Sequence, residues 1–236
     1  MALEYLDLLS LDPAAWVWLM VAGIIGIVSA VTVHEAGHAW SAMRLGDETA
    51  RSMGRVSLDP RRHLDPFGSL LFLIAGFGWG KPTPVVAGNL RGDPRTGMGL
   101  VSIAGPIANL ALAVILSIPL RSGALDWQPP FTAASIGVPS SAGQLFGDLV
   151  SYAVFFNLIL AVFNLIPLVP LDGFKVVVAV LPREVAAIFN KLERYGPWPL
   201  FGLIMLDIVA PFSVIASIVV PGVNALARLA IGHPII

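Results

Sequence analysis

The sequence predicts an all-α polytopic membrane protein, a bundle of transmembrane helices with a small re-entrant or β-like insertion after the first helix. Three observations predict it. Of 236 residues, 56% are hydrophobic and 12% charged, with a mean hydropathy of +0.82, whereas a soluble domain of this size carries about twice that charge. Three nearly uncharged runs are long enough to cross a bilayer, which takes about 20 residues. A fourth apolar run is too short, and too closely followed by glycine and proline, for an ordinary span.

The first span is expected from about residue 14 to 45, longer than one crossing needs. A polar stretch follows, residues 46–65, holding Arg51, Arg55, Arg61 and Arg62. Residues 66–78, PFGSLLFLIAGFG, are apolar but number only 13. With Gly80, Pro82 and Pro84 just beyond, this segment reads as re-entrant, because irregular backbone at membrane depth needs protein or water around it. Its extended end, towards Val85 and Val86, is a candidate edge for pairing with an unwound peptide. The second span is expected near 96–120, the third near 144–166, with a Pro-, Ser- and Gly-rich loop between them. A short apolar helix near 174–181 and a basic amphipathic segment near 183–195 come next. A last apolar region, about 198–220, is interrupted by Pro211 and reads as one kinked span or two shorter pieces.

Charge sets the orientation. Eight of the fourteen Lys and Arg lie between Arg44 and Arg95, and Lys175, Arg183, Lys191 and Arg194 form a second cluster. Placing both clusters in the cytoplasm puts the N-terminus and the 122–142 loop outside. The expected location is the cell membrane, multi-pass, with the lipid bilayer as a partner. A net charge of −1 gives no footprint for nucleic acid. The absence of cysteine excludes disulfides, iron–sulfur clusters and Cys-based zinc sites. The acidic N-terminus lacks the basic region of a cleaved signal peptide. The length suggests a single membrane-embedded domain.

The chemistry is concentrated at the inner end of the first span. His34, Glu35 and His38 form HEAGH. On a helix the two imidazoles at i and i+4 share one face, the spacing a tetrahedral zinc needs. The Glu between them can take a proton from zinc-activated water. The bland reading, polar residues at a helix end near the headgroups, is opposed by Glu35, since an ionisable group in an apolar span costs a few kcal/mol unless used or paired. Catalytic zinc usually takes a third protein ligand. Asp47 and Glu48 lie in the basic stretch and read as solvated surface charges. Asp172 is the better candidate: it closes the third span at the depth of HEAGH, with Pro167 and Pro170 breaking the helix before it and Gly173 permitting close approach. Its alternative is an Asp in a boundary turn. His63 is a candidate for tuning the site or touching lipid headgroups, the blander reading being favoured, His233 reads as exposed tail, and Trp79 as an interface anchor or a wall of the substrate path.

HEAGH, then AGPIAN at residues 104–109, then NLIPLVPLDG at 164–173, each within or ending an apolar span, resemble the site-2 protease family of intramembrane zinc metalloproteases. GFGWGKPTPV, residues 76–85, resembles the stretch between the first two motifs in short members. The resemblance covers about residues 16–181 and implies a catalytic core over 14–181. It implies that His34, His38 and Asp172 bind one zinc and that Glu35 is the catalytic base. It further implies that Asn109 and Asn164 hold substrate backbone or stabilise the oxyanion; the alternative for either is an interhelical hydrogen bond. The implied activity is hydrolysis of a peptide bond in or near a transmembrane segment of a membrane-protein substrate; the Lys and Arg clustering puts the expected site towards the cytoplasm. There is no room for an inserted PDZ domain. A divalent-metal transporter and a non-catalytic membrane-protein binding module remain as other classes.

Overall fold

A computed structural model describes residues 12–68, 80–130 and 137–236. Among these residues three helices are long and apolar enough to span a membrane: α1 (Pro13–Arg44), α3 (Pro94–Arg121) and α4 (Ala142–Asn164), with α2 (Thr49–Ser52) a single turn after α1. Each span begins where a polar side chain caps free backbone donors. Asp12 accepts from the Ala15 N–H, Asp93 from Thr96 and Ser141 from Gln144. Proline stands at the first helical position of α1 and α3, where its missing N–H is harmless.

The three spans pack on one another through small residues, as helices do where lipid supplies no hydrophobic drive. On α1 the buried stripe is Ala15, Ala22, Gly26 and Ala30. A Cβ at Gly26 would stand 2.7 Å from the Phe156 ring and 2.9 Å from the Tyr152 carbonyl of α4. The outer faces are apolar and exposed, with Ile107, Val114, Ile115 and Ile118 on α3. Such a surface belongs in a bilayer.

After α4 the chain turns at residues 165–171 and re-enters a helix, α5 (Asp172–Val180), with Asp172 in its first turn. A Cβ at Gly173 would lie 2.2 Å from the Leu165 carbonyl oxygen, so only glycine lets α5 fold back against the end of α4. The amphipathic α6 (Arg183–Asn190) follows. The last apolar region consists of two helices, α7 (Trp198–Val209) and α8 (Val214–Ala230), at 97° to each other. Asp207 makes the corner by accepting from the Val214 and Ile215 N–H groups. The break falls at Pro211 as expected, but α8 runs on past residue 220 to Ala230, carrying Pro221 inside it. Val219, Val223 and Ala227 continue its buried face against α4, and this packing outweighs the proline.

The insertion after α1 contains one isolated antiparallel bridge, Leu64 with Gly80, and no strand among the described residues. Residues 69–79, most of the expected re-entrant element and Trp79, lie outside the described residues.

Asp47 corrects the sequence reading. It is fully buried, not solvated. Its carboxylate accepts the Thr49 N–H and hydroxyl, the Val86 N–H at 2.7 Å and the Asn89 amide. It therefore ties the extended segment before Ala87 to the end of α1. Glu48 is exposed and pairs with Arg51. His63 is likewise buried, its Nε2 2.7 Å from the Ser57 carbonyl, rather than facing headgroups.

Asp47→Ala should lower the thermal midpoint in detergent by the equivalent of roughly 3 kcal/mol, because it strands several buried donors at once. Burial raises the Asp47 carboxyl pKa, but the surrounding donors more than reverse this and hold it below the ordinary carboxylate value. A lowered native pKa contributes stability that is complete above the unfolded value of about 3.9 and is lost as pH falls through the native value. Asp47→Asn should flatten that acid limb in a pH series of thermal midpoints. An unchanged limb would assign it to other carboxylates.

Candidate metal centre

His34 and His38 occupy successive turns of α1 and point at α3 and α5. They fit there because α3 has no side chain at Gly105: a Cβ would stand 2.5 Å from His38 Nε2 and 2.8 Å from His34 Cε1. Asp172 arrives from α5. His34 Nε2 and His38 Nε2 are 3.0 Å apart, and Asp172 Oδ2 lies 3.0 and 3.1 Å from them. The nearly equilateral triangle is slightly tighter than the spacing of about 3.3 Å that tetrahedral zinc bonds of about 2.05 Å would set.

The hydrogen bonds decide what these atoms carry. Asn109 donates both amide hydrogens, to the Ala30 carbonyl and to Asn157 Oδ1, each at 2.8 Å. Asn157 is oriented in turn by donating to the Ala153 carbonyl. The remaining Asn109 oxygen is therefore an acceptor, and His34 Nδ1, 2.7 Å away, must donate to it. His38 Nδ1 donates to the Val101 carbonyl at 2.8 Å. With both protons on Nδ1, both Nε2 atoms present lone pairs. Asp172 Oδ2 is buried and receives no hydrogen bond. Three lone-pair atoms at 3.0–3.1 Å repel one another unless a cation lies between them. This donor set, two neutral imidazoles and one carboxylate with the rings fixed from behind, fits zinc.

Glu35 stands beside the triad. The Thr83 N–H donates to Glu35 Oε2 at 2.8 Å. The Thr83 hydroxyl lies 2.7 Å from the same oxygen and 3.0 Å from the Glu35 carbonyl, and its one proton serves one of them. All four residues line a cavity of about 590 Å³ with a largely apolar wall from α1, including Ile24, Val28 and Val31.

The two asparagines part company. Asn164 lines the cavity and donates one N–H back to the Leu160 carbonyl. Asn109 has no exposed surface and sits behind His34, its hydrogen-bonding groups engaged. The expected contact of Asn109 with substrate therefore does not match its position. Sequence reasoning missed Asn157 and Thr83. For Asn157 a signal existed: it lies seven residues before Asn164, two turns along the same face of an apolar span. Thr83 carried none, since its partner is 48 residues away.

Asp172→Ala should lose most of the zinc measured by elemental analysis, and full occupancy would remove Asp172 from the ligand set. Asn109→Ala and Asn157→Ala should weaken zinc by about 10- to 100-fold in competition with a chelator, as loss of a group orienting a ligand does. Undiminished affinity in both would show that the amide chain does not hold His34.

The family model described as Peptidase family M50 matches residues 22–125 and 125–195. YwhC of Bacillus subtilis strain 168, named as a zinc metalloprotease, is 39% identical over 176 residues, 73% of this chain and 75% of YwhC. Rip2 of Mycobacterium tuberculosis H37Rv, named likewise, is 33% identical over 177 residues, 73% of this chain and 62% of Rip2, so the match spans less than two thirds of that relative. Rip2 of Mycolicibacterium smegmatis is 27% identical over 213 residues, 89% of this chain and 75% of that protein. No solved structure matches. Nothing in these likenesses supports metal transport or a non-catalytic role. With its HEAGH histidines and LDG aspartate brought together between apolar helices, the chain belongs to Peptidase family M50, the site-2 protease family.

Proposed function

We propose that this chain hydrolyses a peptide bond within or beside a transmembrane segment of its substrate, with zinc held by His34, His38 and Asp172 and with Glu35 as general base. Its class is that of its family, a multi-pass membrane zinc metalloprotease acting on membrane proteins. The observation that carries the residue roles is the convergence of three bare ligand atoms on one cavity that Glu35 also lines. Bound zinc supplies a Lewis acid that acidifies water towards neutrality and polarises a carbonyl.

The chain's own groups do the rest. Thr83 pins Glu35 Oε2, leaving Oε1 to take a proton from water and return it to the leaving amine. Asn164 keeps its carbonyl oxygen and one N–H for the backbone of a substrate in the cavity. Asn109 acts through His34 as a positioning residue. A substrate helix must unwind at the scissile bond, because its carbonyls are otherwise bonded within the helix. The Lys and Arg clustering supports a site that opens towards the cytoplasm.

Glu35→Gln should keep zinc and lower cleavage of a transmembrane peptide by roughly 100- to 10,000-fold. Substantial turnover would mean that another group activates water. Thr83→Val, which keeps the backbone donor, should lower kcat roughly tenfold, the scale of one hydrogen bond to a charged group, at unchanged zinc content. A wild-type kcat would leave Thr83 without a role in holding the base. The chain has no native cysteine, so single cysteines at Ser52 and Ser140 can report topology. Ser52→Cys should label from the cytoplasm and Ser140→Cys from outside, and labelling of both from one face would overturn the orientation.

A further inference from the structure

Beside the extended segment that holds Glu35 is a second cavity, of about 290 Å³, lined by Arg55, Arg61, Arg62 and Lys81 together with Met53. Among the described residues no carboxylate lies within ion-pair distance of any of these four cations. Arg55 makes this more than a charged surface. Its residue is 3% exposed, one guanidinium nitrogen donates to the Lys81 carbonyl, and its Nε is buried without a partner. The Glu35 carboxylate acts on it only from beyond ion-pair distance, so a desolvated guanidinium with a free N–H has a place for a closer anion. The surroundings point to its source. Met53, Leu58 and Phe67, in the same stretch of chain, are 56%, 70% and 78% exposed, the pairing of apolar and basic side chains found at a membrane interface.

We propose that this cavity binds a phosphate group, presented by an anionic phospholipid of the cytoplasmic leaflet. The exposed Arg61, Arg62 and Lys81 side chains receive it at the mouth, and the buried Arg55 meets it inside. Arginine suits this role because its planar fork matches phosphate oxygens. The site is joined to the catalytic base by one short segment. Lys81 receives Arg55 at its carbonyl, Pro82 lines both cavities, and Thr83 holds Glu35. A headgroup that orders Lys81 thus steadies Thr83, and the enzyme works best in an anionic leaflet. This link to Glu35 rests on the protease reading above; the binding site itself does not.

The test uses the full chain, zinc-loaded, in neutral detergent. It is titrated separately with phosphatidylglycerol, phosphatidylcholine and inorganic phosphate, and bound copies are counted by native mass spectrometry. Phosphatidylglycerol should bind at one copy per chain in preference to phosphatidylcholine. Arg61→Gln with Arg62→Gln should weaken that copy by roughly 25-fold, about fivefold for each basic side chain. Lys191→Gln with Arg194→Gln, the same change in charge elsewhere, should not. Both variant pairs alter exposed side chains, so the test does not depend on replacing buried Arg55. Binding of inorganic phosphate without phosphatidylglycerol would overturn the lipid source. Equal weakening in both pairs would reduce the effect to diffuse charge, and no binding of either anion would overturn the site. In nanodiscs, cleavage should rise with phosphatidylglycerol for wild type and not for the Arg61/Arg62 variant. Equal cleavage in both lipids, with the lipid bound, would overturn the link to Glu35 alone. Absence of cleavage in any lipid, with the lipid still bound, would overturn the protease reading and leave the site standing.

Discussion

Mutual repulsion of three lone pairs is the constraint around which this molecule is organised. His34 Nε2, His38 Nε2 and Asp172 Oδ2 lie 3.0–3.1 Å from one another, a contact no protein would hold for its own sake. It persists because the groups behind it leave no alternative. The Val101 carbonyl and the Asn157–Asn109 chain fix the imidazole tautomers, Gly105 opens the space, and Gly173 seats α5 so that its first residue reaches the histidines. A cation converts the same contact from repulsive to strongly favourable. A cation held there would therefore also draw α1 and α5 together.

This explains how polar groups are arranged in a bundle that is otherwise apolar. An amide or carboxylate at membrane depth is tolerated when its hydrogen bonds are complete. Asn109 joins α1, α3 and α4 in a single side chain, and Asp47 does the same for the end of α1 and the segment leading to α3. Each also aims something: Asn109 the His34 imidazole, Asp47 the extended segment that carries Thr83. Both residues act from behind the groups that line the cavity.

That division also governs what could be read from the sequence. The spans were legible because uncharged runs end at capping residues: the expected 14–45 became Pro13–Arg44, bounded by Asp12 and Pro13. HEAGH and Asp172 were legible because metal ligation demands specific residue types at helix spacing, and their resemblance to a family joined them. Asp47 was not, since a carboxylate among arginines looks solvated until Val86 and Asn89, about 40 residues away, bring two of its four donors. Thr83 was missed for the same reason, its meaning lying in a tertiary partner, whereas Asn157, two turns before Asn164 in an apolar span, carried a signal that went unread. α8 was under-read beyond residue 220, where the continuous apolar run stops, whereas Asn224 bonds the backbone of Ile235 and Ile236 and ties them to a helix that continues.

The same bonds limit how an unwound substrate can pair with the segment after Gly80. An exposed edge strand offers alternating donors and acceptors. Here Pro82 and Pro84 have no N–H, the Lys81 N–H goes to His63, that of Thr83 to Glu35 and that of Val86 to Asp47. Among residues 81–86 only the Val85 N–H is left as a donor. Any pairing here would therefore be one-sided, the substrate supplying most of the N–H groups and this segment the carbonyls. A scissile carbonyl would then find few donors along the segment, and its oxygen would be left for the metal centre, where charge develops in the transition state. Pro82 and Pro84, by lacking N–H groups, remove two of the hydrogen bonds that would hold such a carbonyl elsewhere.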